Sequence, residues 1–345
     1  MKYYLKKGMF WTKKENEIIV YYTNSSLKKG IRSSDNEKLF QLLTILSEPK
    51  TYSELVEASP FEKKENLDAT LSYLLSKGYI AVQERDTQKV ENRVRSFVDS
   101  IPNVSYNDYS LSIEKTHICI IGTGTAGSYI PECLIKLGLN RFTLIDPDKV
   151  EENNLYAQNF SFRDVGRYKV EVLKHKYENE FKTSNITAII RQLSNYEDLK
   201  RAVALEEIDY LALCADNNTL IIDVLENIFL DFPNIKIIIS GYAVFQQHCY
   251  LIDRETNASI LKEIKQNVST LNELDEVIVE NSGVIFDSLF SAISISKIIF
   301  DHVLNINSPQ IAKADFLNNR YFIGNEDEYK IYEEYEHRFT GQTVL

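Results

Sequence analysis

Cysteine is scarce. The 345-residue chain holds four, Cys119, Cys133, Cys214 and Cys249, with no Cys-x-x-Cys pair among them. A disulfide framework and a structural zinc are therefore not expected, because both need grouped cysteines. Cys119 and Cys214 lie in apolar runs, where a thiol is most simply a small core residue. Excess basic charge is also missing: 39 Lys and Arg against 50 Asp and Glu leave a net charge of −11. That balance argues against a general nucleic-acid binder. The opening residues carry no apolar signal core, and no uncharged apolar run is long enough to span a bilayer. A cytoplasmic protein with no membrane partner is expected. What is present, 44% hydrophobic and 26% charged residues, is the composition of a globular protein. The length favours two domains.

The most informative stretch runs from His117 to Lys169. An apolar run, Ile118 to Ile121, stops at Gly122, and Gly122, Gly124 and Gly127 have G-x-G-x-x-G spacing. Helical periodicity follows from Tyr129 to a glycine stop at Gly138, then a second strand run, Phe142 to Asp146. This strand–turn–helix–strand–acid unit of about thirty residues is the pattern of a dinucleotide-type fold. The first glycine makes the tight turn, the second lets a phosphate approach, and the third lets helix and strand pack. Helix N–H groups would face the anion. Asp146 stands where an acid accepts hydrogen bonds from a ribose. An ordinary βαβ unit with a glycine-rich turn would share part of this pattern.

Residues 1–88 read as a small winged-helix-like α+β module. Alternation in residues 1–24 suggests a short strand pair, helices follow at Glu37–Leu46 and Tyr52–Ala58, and Ser59-Pro60 predicts the start of a third. Gly78 stops that helix, and Tyr79–Gln83 returns as a strand. A DNA-binding winged helix would carry basic residues along its third helix. Here the middle, Glu65-Asn-Leu-Asp-Ala-Thr, is acidic or neutral. A clamp pairing an edge strand with an extended peptide and a packing or dimerisation module remain. Residues 89–112 are expected to be a linker with a helix. Residues 113–310 alternate β and α, as a Rossmann-like, doubly wound, mostly parallel sheet does. Residues 311–345 look like an acidic tail without a motif.

In such a sheet, groups following the strands converge at one edge. These are Gly122–Gly127, the polar run Asp146–Gln158, and Asp216-Asn217. Lys169, close behind Gly166, could neutralise phosphate charge, and Asp216 could hold Mg²⁺ against phosphates. Taken singly, Lys169 could be a surface lysine and Asp216 a helix N-cap. Together they suggest phosphoryl chemistry rather than hydride transfer.

The ordered set Gly122-x-Gly124-x-x-Gly127, Asp146-x-Asp148-x-Val150, Asn154-Leu-x-x-Gln158, Gly166-x-x-Lys169 and Asp216-Asn217 resembles the ThiF/MoeB family, the adenylating fold of ubiquitin-activating enzymes. The resemblance implies ATP and Mg²⁺, adenylation of a peptide or protein C-terminus, and a homodimer. It assigns the ribose to Asp146, the phosphates to Asn154 and Lys169, and Mg²⁺ to Asp216. It also implies that Arg93 or Arg95 reaches the phosphates of the other subunit. Ala157 stands where the family has an arginine, unless Arg163 or Arg167 replaces it, and the zinc-binding cysteine pairs are absent. With its N-terminal module, the chain looks like the microcin C-type enzymes, which nucleotidylate the C-terminus of a short ribosomal precursor peptide. Two alternatives stay open: a non-catalytic leader-peptide-binding partner of an azoline-forming cyclodehydratase, and a sulfur-carrier-protein adenylyltransferase with Cys249 as its thiol relay.

Overall fold

A computed structural model describes the chain except for residues 7, 15–16, 23–27, 84–92, 102–103, 182–184, 244, 273–282, 307–308 and 333–345. The start of the expected linker, the last residues of the helical excursion after the fifth parallel strand, and the end of the expected tail lie outside the described residues. The chain divides into two compact units, residues 1–111 and 112–345.

The first unit contains β1 (Lys2–Leu5), β2 (Met9–Lys14), β3 (Glu17–Tyr22), β4 (Lys28–Ile31), α1 (Asn36–Ile45), β5 (Lys50–Thr51), α2 (Tyr52–Glu57), α3 (Lys64–Ser76), β6 (Ile80–Gln83) and α4 (Arg93–Ser100). The expected strand pair is thus three strands in two sheets: β1 pairs between β5 and β6, while β2, β3 and β4 form an antiparallel sheet. Apolar positions at helical spacing on α1 and α3 (Leu39, Leu42, Leu43; Leu67, Leu71, Leu74) close a core with Ile18, Val20 and Tyr79. Caps fix two helix starts. Asp35 accepts from Lys38 N at the head of α1, and Thr51 forms a capping box with Glu54 on α2. The third helix starts at Lys64, several residues after Ser59-Pro60, and its N-cap Lys63 makes no side-chain bond. Ser59 Oγ instead accepts from Phe61 N, a local turn that competes with capping.

From α5 (Tyr106–Lys115) the chain enters the second unit. There follow β7 (His117–Ile121), α6 (Ile130–Lys136), β8 (Arg141–Ile145), α7 (Lys169–Glu180), β9 (Asn185–Ile189), α8 (Tyr196–Ala202), β10 (Tyr210–Leu213), α9 (Asn218–Asp231), β11 (Lys236–Ala243), β12 (Gln246–Ile252), α10 (Asn257–Asn272), α11 (Ile285–Val303), β13 (Ile311–Asp315) and β14 (Arg320–Gly324). The sheet order is β14-β13-β12-β11-β10-β7-β8-β9, parallel from β11 to β9 and antiparallel beyond. This is the doubly wound, mostly parallel sheet expected from the alternation. Its strand order reverses between β7 and β10, the point at which such sheets leave a crevice for a ligand. Every residue of β7 and β10 is buried, which is why both read as unbroken apolar runs.

One expectation changes here. Residues 311–324 are no tail, since β13 and β14 extend the sheet as an antiparallel hairpin. The described part of the expected linker carries helix, in α4 and the first residues of α5.

Candidate functional site

The glycine turn is built by crowding against the switch-point strands. Gly122 has φ +86°, and a Cβ there would lie 2.7 Å from Ala215 N, just past β10. A Cβ on Gly127 would overlap the Gly122 carbonyl oxygen. Gly124 differs: its missing Cβ would meet only Gln158 Nε2, at an ordinary 3.7 Å. The protein itself does not require glycine at 124, so the open space above the backbone is left for something else to approach.

Asp146 is buried at the end of β8. Its Oδ2 accepts from Thr123 N (2.6 Å) and Thr123 Oγ1 (3.0 Å), and its Oδ1 accepts from Asp148 N (2.9 Å). It therefore braces the glycine turn against the second strand. Three of its roughly four acceptor sites are used internally, which leaves room for about one ribose hydroxyl.

Lys169 opens α7. Far from being a surface lysine, its side chain is 8% exposed and bonds Asp148 Oδ2 at 3.1 Å. The segments 148–150 and 166–169 hold this register through Lys169 N to Asp148 O (3.0 Å), Val150 N to Arg167 O (2.8 Å) and a Lys149–Tyr168 bridge.

Asp216 lies beyond β10 and is exposed. The N-cap of α9 is not Asp216 but Asn217, whose side chain accepts from Leu220 N at 3.1 Å. No described residue hydrogen-bonds or ion-pairs with the Asp216 carboxylate. A single hard, accessible oxygen donor fits Mg²⁺, which is usually held by one or two carboxylates plus waters and phosphates. No cluster of three His, Cys, Asp or Glu suited to a metal occurs among the described residues.

Asn154 Oδ1 accepts from Glu151 N (2.9 Å), capping the 3₁₀ turn Glu152–Tyr156. Gln158 lies against Gly124, and its buried Oε1 has no hydrogen-bond partner among the described residues. Ala157 is 5% exposed, and its carbonyl accepts from Ser288 Oγ of α11 at 2.5 Å. The position is buried, so a longer side chain there would need its surroundings to shift. Arg163 and Arg167 are exposed, Arg167 lying 3.5 Å from Asp164.

Gly122, Gly124, Gly127, Asp146, Asp148, Asn154, Gln158, Lys169 and Asp216 thus all follow the carboxyl ends of β7, β8 and β10. Arg93 and Arg95 do not: both belong to α4 in the first unit. Arg95 pairs with Asp99 (3.8 Å) and faces the rings of Tyr4 and Tyr106. Arg93 is exposed.

Sequence reasoning missed Thr123, Ser288 and Asn159. Asn159 is buried and bonds Ser128 Oγ, Glu132, Tyr177 and Lys176, fixing the segment after Gln158 to α6 and α7. Nothing in spacing flags it, though the polar density of 151–159 points to a structured loop. Cys249 is fully buried, and burial pushes its thiol up to about 12. That environment suits a core residue and not a thiol relay.

The strand order and switch-point turn define a doubly wound α/β protein of the Rossmann type, preceded by a small winged-helix-like unit. Residues 100–321, more than half of the chain, match the ThiF family, and the chain belongs to it. It is 32% identical over 121 residues to the ubiquitin-like modifier-activating enzyme 5 of Gallus gallus, covering 32% of this chain and 30% of that protein. It is 37% identical over 73 residues to the tRNA threonylcarbamoyladenosine dehydratase of Escherichia coli K12, covering 21% and 27%. The chain spans about a third or less of the length of these curated relatives. Among solved structures, E. coli MccB with AMPCPP and the MccA peptide superposes with a TM-score of 0.67 at 16% identity, over 94% of this chain and 97% of that one. PaaA superposes with a TM-score of 0.63 at 14% identity, over 92% and 98%. At such identities the likeness is one of fold, and it includes the N-terminal unit. No helix among the described residues is long and apolar enough to cross a membrane.

Proposed function

We propose that the chain is an ATP-dependent adenylyltransferase that activates the C-terminal carboxylate of a ribosomally made precursor peptide, in modified-peptide or bacteriocin biosynthesis. The observation that carries this is the gathering of the Gly124 opening, Asp146, the buried Lys169 and the exposed Asp216 at one sheet edge. Membership of the ThiF family and the whole-chain likeness to MccB, whose structures include ones with MccA, ATP or AMPCPP, support the substrate class.

In the proposed step a carboxylate oxygen of the peptide attacks the α-phosphorus of ATP, and the bond to the bridging oxygen breaks. Pyrophosphate leaves with the electron pair. No general base is needed, because the nucleophile is already ionised, so electrostatic stabilisation carries the step. Lys169 would neutralise charge on the phosphates, Asp146 would take one ribose hydroxyl, and the turn from Gly122 to Gly127 would cradle the anion. Asn154, Asp148 and Gln158 complete the wall. Asp216 would hold Mg²⁺, which when bound supplies further charge neutralisation on the phosphates. Residues 1–88 would clamp the peptide, and a homodimer in the cytoplasm would let Arg93 act from a partner subunit. Arg95, already paired with Asp99, suits that role less well.

The Asp216→Ala protein should release pyrophosphate at least about 100-fold more slowly in the presence of peptide. Unchanged release would remove Asp216 from the mechanism.

The buried position at Ala157 favours a second reading, a non-catalytic presenter of a leader peptide to a cyclodehydratase. A presenter would bind peptide without binding ATP. The sulfur-carrier reading has little to rest on once its thiol, Cys249, is found buried in the sheet.

A further inference from the structure

We propose that Asp148 is a positioning residue: its carboxylate aims the Lys169 ammonium into the crevice and is the anion that an incoming polyphosphate replaces. This inference rests on the proposed nucleotide site and deepens it, giving Asp148, so far only part of the wall, a specific task.

A buried ammonium needs a counter-charge, since leaving it unpaired is costly. Among the described residues Asp148 alone bonds Lys169 Nζ, at 3.1 Å. The two partners are unequal. The lysine side chain is 8% exposed and its backbone is the first residue of α7, whereas the aspartate side chain is 63% exposed. Water solvates the released carboxylate readily but could not so solvate the lysine. The carboxylate is therefore the member that gives way, and a phosphate oxygen arriving from the Gly124 opening keeps the ammonium compensated throughout.

The backbone sets the aim. Lys169 N donates to Asp148 O, Asp148 N donates to Asp146 Oδ1, and Asp146 Oδ2 accepts from Thr123 N and Oγ1. An unbroken set of hydrogen bonds thus runs from the glycine turn to the lysine. Asp148 is the link that touches the ammonium itself.

The test compares wild type with Asp148→Asn and Asp148→Glu, in peptide-dependent pyrophosphate release and in calorimetric titration with inorganic tripolyphosphate. Asp148→Asn should lower kcat about tenfold or more with KM for ATP unchanged or reduced, and Asp148→Glu should restore most of kcat. Tripolyphosphate should bind Asp148→Asn several-fold more tightly than wild type, because the competing carboxylate is gone. A raised KM with unchanged kcat would make Asp148 a direct nucleotide contact and overturn the proposal. So would tripolyphosphate binding that is equal or weaker in Asp148→Asn. If wild type released no pyrophosphate with any peptide, the adenylation reading would fall, while the tripolyphosphate comparison would still decide the ion-pair exchange.

Discussion

Single atoms decide what this site tolerates. At Gly127 an added methyl has nowhere to go, since it would overlap the Gly122 carbonyl, a backbone atom that cannot swing aside. Gly127→Ala should destabilise the second unit by at least about 1–3 kcal/mol, read as a lower urea midpoint. Gly124→Ala should leave the midpoint nearly unchanged while weakening ATP binding, because only a ligand needs that space. Asp287, on the first turn of α11, is buried; one oxygen has no partner among the described residues and the other accepts from Val284 N. Burial raises its carboxyl above the ordinary value, outweighing the backbone hydrogen bonds that lower it. A folded-state pKa above the unfolded one stabilises fully below the unfolded value, and that contribution is lost as pH rises through the folded one. Asp287→Asn should therefore be relatively more stable against wild type at pH 7.5 than at pH 3.5. Denaturation at the two pH values measures the difference, and a pH-independent one would contradict the assignment.

At the scale of elements, what could be foreseen follows from which forces act locally. The β7–α6–β8 unit was legible because every constraint is near in sequence: an apolar run, three glycines and a stop at Gly138. The part of Lys169 as a phosphate-facing charge behind Gly166 was suggested as well. Its burial was not, because burial comes from pairing residues 148–150 with 166–169 across a loop. β13 and β14 escaped notice because the strand that β13 joins, β12, lies far back in the chain, and because Lys313, Asp315 and Arg320 interrupt their apolar runs. The hydrogen bond that ties down the Ala157 carbonyl comes from α11, some 130 positions further along the chain. On α9, the stripe Leu220, Ile221, Val224, Leu225 and Ile228 packs into the core below the switch point. Leu225→Ala should cost about 2–5 kcal/mol, read as a lower urea midpoint.

The molecule as a whole consists of two compact units with separate cores, one around Leu42, Leu67 and Leu74 and the other around the long sheet. Each buries its own apolar faces, so scanning calorimetry should resolve two transitions, and a core substitution such as Leu67→Ala should shift only one. A single coincident transition would show that the units unfold as one. The central claim is that a glycine turn, Asp146, Lys169 and Asp216 bind one triphosphate between them. Calorimetric titration of the full chain with ATP and Mg²⁺ tests it most directly, in wild type, Lys169→Ala and Asp216→Ala. One nucleotide per chain in wild type, weakened at least about tenfold in each variant, is the expected result. Equal affinity in all three proteins, or no binding in wild type, would contradict it.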